Sequence, residues 1–256
     1  MSDYEFIKVG EEGGVARITL AREPLNILNI AMMEEICAAL ESLHDRTDLK
    51  VIVFDAEGKA FSAGVDVSEH MGDMAEKMIG IFHQMFRLLN EIGVTTVAVV
   101  DGNALGGGCE LATFCDIVMA SERSKFGQPE IQVGVLPPIA CIIWPKIMGR
   151  KKALELLLTG AVFKADEASR LGLVNKVVPP DNIKEEADRL IEALAKLSAP
   201  VLKYTRRAAN RDIETRFEKE LEKVEELYLN KLMKTTDANE GLKAFLEKRK
   251  PVWKNE

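Results

Sequence analysis

Two glutamates stand where carboxylate chemistry is possible. Glu110 ends the stretch DGNALGGGCE, residues 101–110, and Glu130 lies in FGQPEIQVG, residues 126–134. Two carboxyl groups near one polarised carbonyl can divide acid and base work when their surroundings separate their pKa values. The stretch before Glu110 offers a source of polarisation. An apolar run at 95–100 leads through a turn and three glycines into a helix-compatible segment at 111–114, which sets bare backbone amides at a helix start. Glycine lets a ligand approach the chain, and unpaired N–H groups together with the helix dipole favour negative charge there. The glycines fit equally the plainer purpose of letting two backbones pass closely. A second small-residue loop, Ser62-Ala63-Gly64, follows the apolar run 51–54 and either presents a further free amide or simply connects two elements. Pro129 restrains Gln128 to an extended shape and so helps to hold Glu130 in one place. Ser62 is outside any G-x-S-x-G turn and has no base near it in sequence, so it is not read as a nucleophile.

The elements that must position these groups follow from periodicity. Alternating runs at 5–9 and 15–20, separated by GEEGG, read as a hairpin. Ile30, Met33, Ile36, Cys37, Leu40 and Leu43 recur at helical spacing, and 51–54 is a short, wholly apolar strand. A helix at 74–90, a buried strand at 95–100 and a strand at 116–120 continue the alternation, which predicts an α/β architecture with helices packed on a sheet. Beyond Gly149 the chain reads as helices at 151–158 and 166–171, a strand at 173–178, and amphipathic helices at 183–197 and 200–209. No long-period repeat or low-complexity tract interrupts it.

Composition excludes several classes. The 256 residues carry a net charge of -7, which argues against a binder of nucleic-acid backbone. No apolar run approaches the roughly 20 residues that span a bilayer, and the N-terminus lacks a basic region followed by an apolar core, so a soluble cytoplasmic protein with no membrane partner is expected. Cys37, Cys109, Cys115 and Cys141 show no C-x-x-C spacing and read as reduced thiols in apolar segments. His44, His70 and His83 lack metal-ligand spacing and read as surface or core residues, so no metal is expected. No phosphate-binding G-x-x-x-x-G-K-[ST] or dinucleotide-binding G-x-G-x-x-G occurs.

AFSAGVD, DGNALGGGCELATFCDIVMA and FGQPEIQVG, in that order, resemble the enoyl-CoA hydratase (crotonase) superfamily, and the likeness extends over essentially the whole chain. The resemblance implies a spiral core of repeated β-β-α units over residues 1–195 and a helical trimerisation region over 196–256, assembled as a homotrimer or a dimer of trimers. It implies an acyl-CoA thioester substrate and no cofactor beyond that coenzyme A. It further implies that the N–H groups of Ala63 and Gly107 form an oxyanion hole, with Gly64, Val65, Asp66, Pro137 and Pro138 also contacting substrate. Glu110 and Glu130 match the catalytic pair of the hydratase branch. Preorganised donors of this kind lower a barrier by on the order of 3 kcal/mol each. In that reading the two glutamates jointly position and deprotonate the water that attacks the β-carbon, with Glu130 donating the α-proton and Glu110 mainly orienting water. Phe245 and Lys248 match a Phe and a Lys that reach the coenzyme from a neighbouring subunit; the alternative is that Lys248 belongs to a solvated helix end. Where similar short-chain hydratases carry a glycine-rich P-G-x-G-G-T segment, this chain has Leu136-Pro137-Pro138-Ile139-Ala140-Cys141 followed by Ile142, Ile143 and Trp144. That departure predicts a differently shaped, strongly apolar acyl pocket or entrance, with some of these side chains simply core. It resembles hydratases that act on alicyclic dienoyl-CoA in anaerobic aromatic degradation. The alternatives are a linear enoyl-CoA, a double-bond isomerisation, or a catalytically weak relative that serves as a binding protein.

Overall fold

In a computed structural model that describes residues 4–72 and 74–256, the chain opens with the antiparallel hairpin β1 (Ile7–Glu12) and β2 (Val15–Leu20), followed by α1 (Ile30–Leu43). Three turns of one unit come next. The first is β3 (Val51–Ala56), β4 (Ala60–Ser62) and α2 (Met74–Ile92); the second is β5 (Thr95–Val100), β6 (Asn103–Leu105) and α3 (Gly107–Phe114). The third is β7 (Ile117–Ser121), β8 (Lys125–Gly127) and a 3-10 turn at Pro129–Val133. The helices α4 (Pro138–Ile147) and α5 (Arg150–Thr159), strand β9 (Val162–Lys164), α6 (Ala165–Arg170), β10 (Lys176–Val178) and α7 (Ile183–Ala195) then cover the spiral. The chain finishes with α8 (Ala199–Ala209), α9 (Arg211–Asn230) and α10 (Thr236–Leu246).

The long strands form one sheet in the order β1-β2-β3-β5-β7-β10, and the short ones form a second in the order β4-β6-β8-β9. Alternation sorts the long strands' side chains between two cores. Ile52, Phe54, Ala98 and Val100 enter the main core, whereas Val51, Val53, Val97 and Val99 meet Ile183, Ala187 and Ile191 of α7 on the other face. A strand covered on both faces reads as an unbroken apolar run, which is why 51–54 and 95–100 stand out in the sequence. Among the described residues no helix is long and apolar enough to cross a membrane.

Several elements differ from expectation. The hairpin turns on Gly13-Gly14 alone, both at positive φ (60° and 83°), so Glu11 and Glu12 belong to β1 and pair with Ala16 and Val15. Such a two-residue turn matches the twist of the strands it joins. Strand β10 starts later than expected because the N–H groups of Leu173 and Val174 cap α6 by donating to Ala168 O. The four short strands, α4 and α9 lie outside the expected elements.

Candidate active site

Strands β4, β6 and β8 are parallel neighbours, so their carboxyl ends lie side by side. From those ends emerge Ala63-Gly64-Val65, Gly106-Gly107 and Gln128-Pro129-Glu130 in successive turns of the spiral. Ligand sites in sheets of this kind collect at strand carboxyl ends. Here they open onto a cavity of about 330 Å³ lined by Ala63, Gly64, Val65, Gly107, Glu110 and Glu130 together with a largely apolar wall.

Each glycine of the central stretch has its own reason. Gly106 sits at φ 52°, and a Cβ there would lie 2.6 Å from Glu130 Oε1, so the residue must be glycine for the carboxylate to rest against the backbone. A Cβ on Gly107 would lie 2.6 Å from Val65 Cγ2. Gly108 would collide with Ser62 and serves close approach of α3 to β4. Both purposes read from the sequence are therefore present, at different positions.

The free amides follow from the hydrogen bonds around them. Ala63 N–H, expected to point at a ligand, instead donates to Leu25 O at 2.9 Å. Gly64 O and Asp66 N–H both bond Leu28, and in such a parallel bridge the intervening Val65 N–H faces the opposite side. Among the described residues neither Val65 N–H nor Gly107 N–H meets an acceptor, and Gly107 opens α3, where a helix leaves its donors unpaired.

Glu110, in the first turn of α3, is 2% exposed and its Oε1 accepts from Ile139 N–H at 2.7 Å and Ala140 N–H at 3.0 Å. Those are the first donors α4 can offer. Pro137 and Pro138 have no N–H, so the helix start is already shaped and its remaining amides and dipole converge on the carboxylate. Burial pushes the Glu110 carboxyl up to about 7 against the two backbone bonds that favour its ionised form. Glu130 is raised well above the ordinary range by burial and then by the negative charge of Glu110. One side-chain amide atom of the fully buried Gln128 lies 3.2 Å from both Glu130 oxygens and from Gly106 O; because all three are acceptors, that atom is assigned as the amide nitrogen. Two carboxyls with raised pKa values beside each other hold a proton between them near neutral pH.

The remaining expected residues divide. Leu136 and Pro138 line the cavity, whereas Pro137 is buried beside it as the cap of α4 and Asp66 caps a 3-10 turn by accepting from Ser68 N–H. Ile142, Ile143 and Trp144, of which some were expected in the core, are all core residues: Trp144 donates from Nε1 to Thr113 Oγ1 at 3.1 Å and packs edge-on against Phe163. Phe245 of α10 lines the cavity of its own chain, and Lys248 lies exposed just past the helix end and is not among the residues that line it. Among the cavity residues that were missed are His70 and Tyr228. His70 was read only as surface or core; it lines the cavity, and its Nδ1 pairs with Asp66 O at 2.9 Å. Tyr228 comes from α9, and its only sequence signal is its helical spacing from Leu221 and Phe217, the other buried residues of that helix.

The family described as enoyl-CoA hydratase/isomerase matches residues 10–256. The chain is 38% identical over 244 residues to a cyclohexa-1,5-dienecarbonyl-CoA hydratase of Thauera aromatica, covering 95% of this chain and 94% of that protein. It is 34% identical over 253 residues to a crotonyl-CoA hydratase of Syntrophomonas wolfei, covering 96% and 97% of the two chains. Its fold matches the crystal structure of an enoyl-CoA hydratase from Mycobacterium avium subsp. paratuberculosis with a TM-score of 0.88, 28% identity, and coverage of 98% and 99%.

Proposed function

Because this chain belongs to the enoyl-CoA hydratase/isomerase family and is a hydro-lyase for enoyl-CoA thioesters, we propose that Glu130 and Glu110 carry out the addition of water at the cavity described above. The observation that carries this reading is the pair of raised carboxyls on one cavity wall with two amides that are unpartnered among the described residues, none of which brings a Lys or Arg to that wall.

The thioester oxygen accepts from Val65 N–H and Gly107 N–H, which draws charge from the conjugated double bond and makes the β-carbon electrophilic. Val65 replaces Ala63 in this assignment because Ala63 N–H is spent on Leu25. Glu130, whose pKa is raised by burial and by its neighbour, holds the proton and delivers it to the α-carbon. Glu110, kept partly ionised by the start of α4, takes a proton from water as the water oxygen bonds to the β-carbon. The cycle closes when that proton returns from Glu110 to Glu130, leaving one water added and both groups restored.

The favoured acyl group is an alicyclic dienoyl. Leu136 and Pro138 stand at the cavity where a glycine-rich turn would leave room, and the Thauera relative supports the same substrate class. A linear enoyl-CoA is the second reading, supported by the crotonyl-CoA hydratase relative. The protein works in the cytoplasm as a homotrimer or a dimer of trimers, with residues 196–256 at the contacts. Exposed Val201 (63%) and Tyr204 (68%) on α8 support that role. The test compares kcat/KM on cyclohexa-1,5-diene-1-carbonyl-CoA and crotonyl-CoA, with product mass read in deuterium oxide. Water addition with preference for the alicyclic substrate is expected. Preference for crotonyl-CoA overturns the alicyclic assignment, and a product of unchanged formula, as in isomerisation, overturns hydration.

A further inference from the structure

The hydration reading uses two carboxyls and two backbone amides, and it leaves one buried polar group on the cavity wall without a task. Tyr228, near the end of α9, is 1% exposed and lines the cavity. Its hydroxyl has no hydrogen-bond partner among the described residues. Two other buried side-chain atoms share that condition among the described residues, Asn26 Oδ1 and His83 Nε2, but neither residue lines the cavity. A phenol taken out of water without a partner is unfavourable unless what occupies the site supplies one.

The surroundings say which occupant. Phe82, Met78, Val135 and Leu242 share the wall and offer nothing that competes for the hydroxyl. Burial, then Glu130 and Glu110, push the phenol up, so it stays a neutral O–H at neutral pH and lies within electrostatic reach of both carboxyls. Tyr228 thus shares one cavity wall with both carboxyls.

We propose that the Tyr228 hydroxyl binds the oxygen carried by the β-carbon, the atom that arrives as water in one direction and departs as water in the other. This rests on the hydration reading. That oxygen gives one proton to Glu110 and one electron pair to carbon, which leaves a second pair to accept from Tyr228. In the reverse direction the departing oxygen gains negative charge, so the donated bond strengthens as the C–O bond breaks.

The test measures binding of two probes, 3-hydroxybutyryl-CoA (each enantiomer) and butyryl-CoA, to wild type and Tyr228→Phe by calorimetry. The variant should lose about three- to tenfold in affinity for one 3-hydroxybutyryl enantiomer, the worth of one neutral hydrogen bond, and bind butyryl-CoA as before. Equal losses on both probes, or none on either, overturn the proposal. Removing a hydroxyl without a protein partner should leave the melting temperature unchanged or raise it. A clear fall would show that the group holds the fold and would also overturn the proposal. Wild-type hydration of the two enoyl substrates is the separate control: if it is absent, the hydration reading itself falls, whatever the variant binds.

Discussion

Glu110 on α3 and Glu225 on α9 are both drawn out of bulk water, and they differ in what meets their oxygens. Glu225 Oε1 accepts from Arg87 at 2.8 Å and from His83 Nδ1 at 2.7 Å; burial raises its carboxyl, but these bonds and charges outweigh burial and hold it below the ordinary range. Glu110 meets two backbone amides and no cation, and its neighbour Glu130 is another carboxyl. There burial wins and both groups are pushed up. A carboxylate paired with a guanidinium is locked in one protonation state and ties helices together. A pair held only by amide dipoles stays able to exchange a proton near neutral pH, which is what acid–base work requires.

The comparison breaks most decisively at the pair. Glu130→Gln and Glu110→Gln should each lower kcat by about 10²–10⁴ while leaving the KM for an enoyl-CoA within a few-fold, as expected for loss of a positioned proton donor or acceptor. Steady-state turnover checks it, and two variants with near wild-type rates would remove the assignment. On the other side, Arg87→Met leaves Glu225 and His83 without their cation. It should destabilise the fold by about 1–3 kcal/mol in urea unfolding, with turnover per folded molecule unchanged.

How far this contrast was visible beforehand depended on length and on partners. Strands β3 and β5 were legible because burial on both faces leaves unbroken apolar runs, and α1 because Ile36, Leu40 and Leu43 keep a helical period. Strands β4, β6 and β8 have three residues each, too few to display a period, although their ends carry the whole site. Helix α9 buries only Phe217, Leu221 and Tyr228 in a heavily charged sequence, so its contribution to the cavity was hidden. The glutamates and Gly107 were recognisable as a motif. Whether Ala63 or Val65 has the free N–H was not, because it depends on Leu25 and Leu28 from another segment. The charge contrast was invisible too, since Arg87 and Glu225 meet only across the α2–α9 seam.

A further expected effect is in stability against pH. Glu110 has a folded-state pKa raised from 4.5 to about 7, so between those values the native state holds more proton than the unfolded chain. Stability from this group is therefore greatest on the acid side and falls as pH rises through that window, by at most about 1.4 kcal/mol per pH unit. Glu130, raised as well, extends the fall upward. Unfolding of Glu110→Gln, subtracted from wild type across pH 4.5 to 7, should expose this slope; a flat difference would show that Glu110 titrates normally.

The proton shared by the pair can be observed directly by infrared difference spectroscopy of the carboxyl stretch at neutral pH. Wild type should show a protonated carboxyl band that shrinks in Glu130→Gln to the share carried by Glu110 and is unchanged in Glu225→Gln. A spectrum with no protonated carboxyl, or with a band untouched by Glu130→Gln, would contradict the assignment of Glu130 as the proton donor.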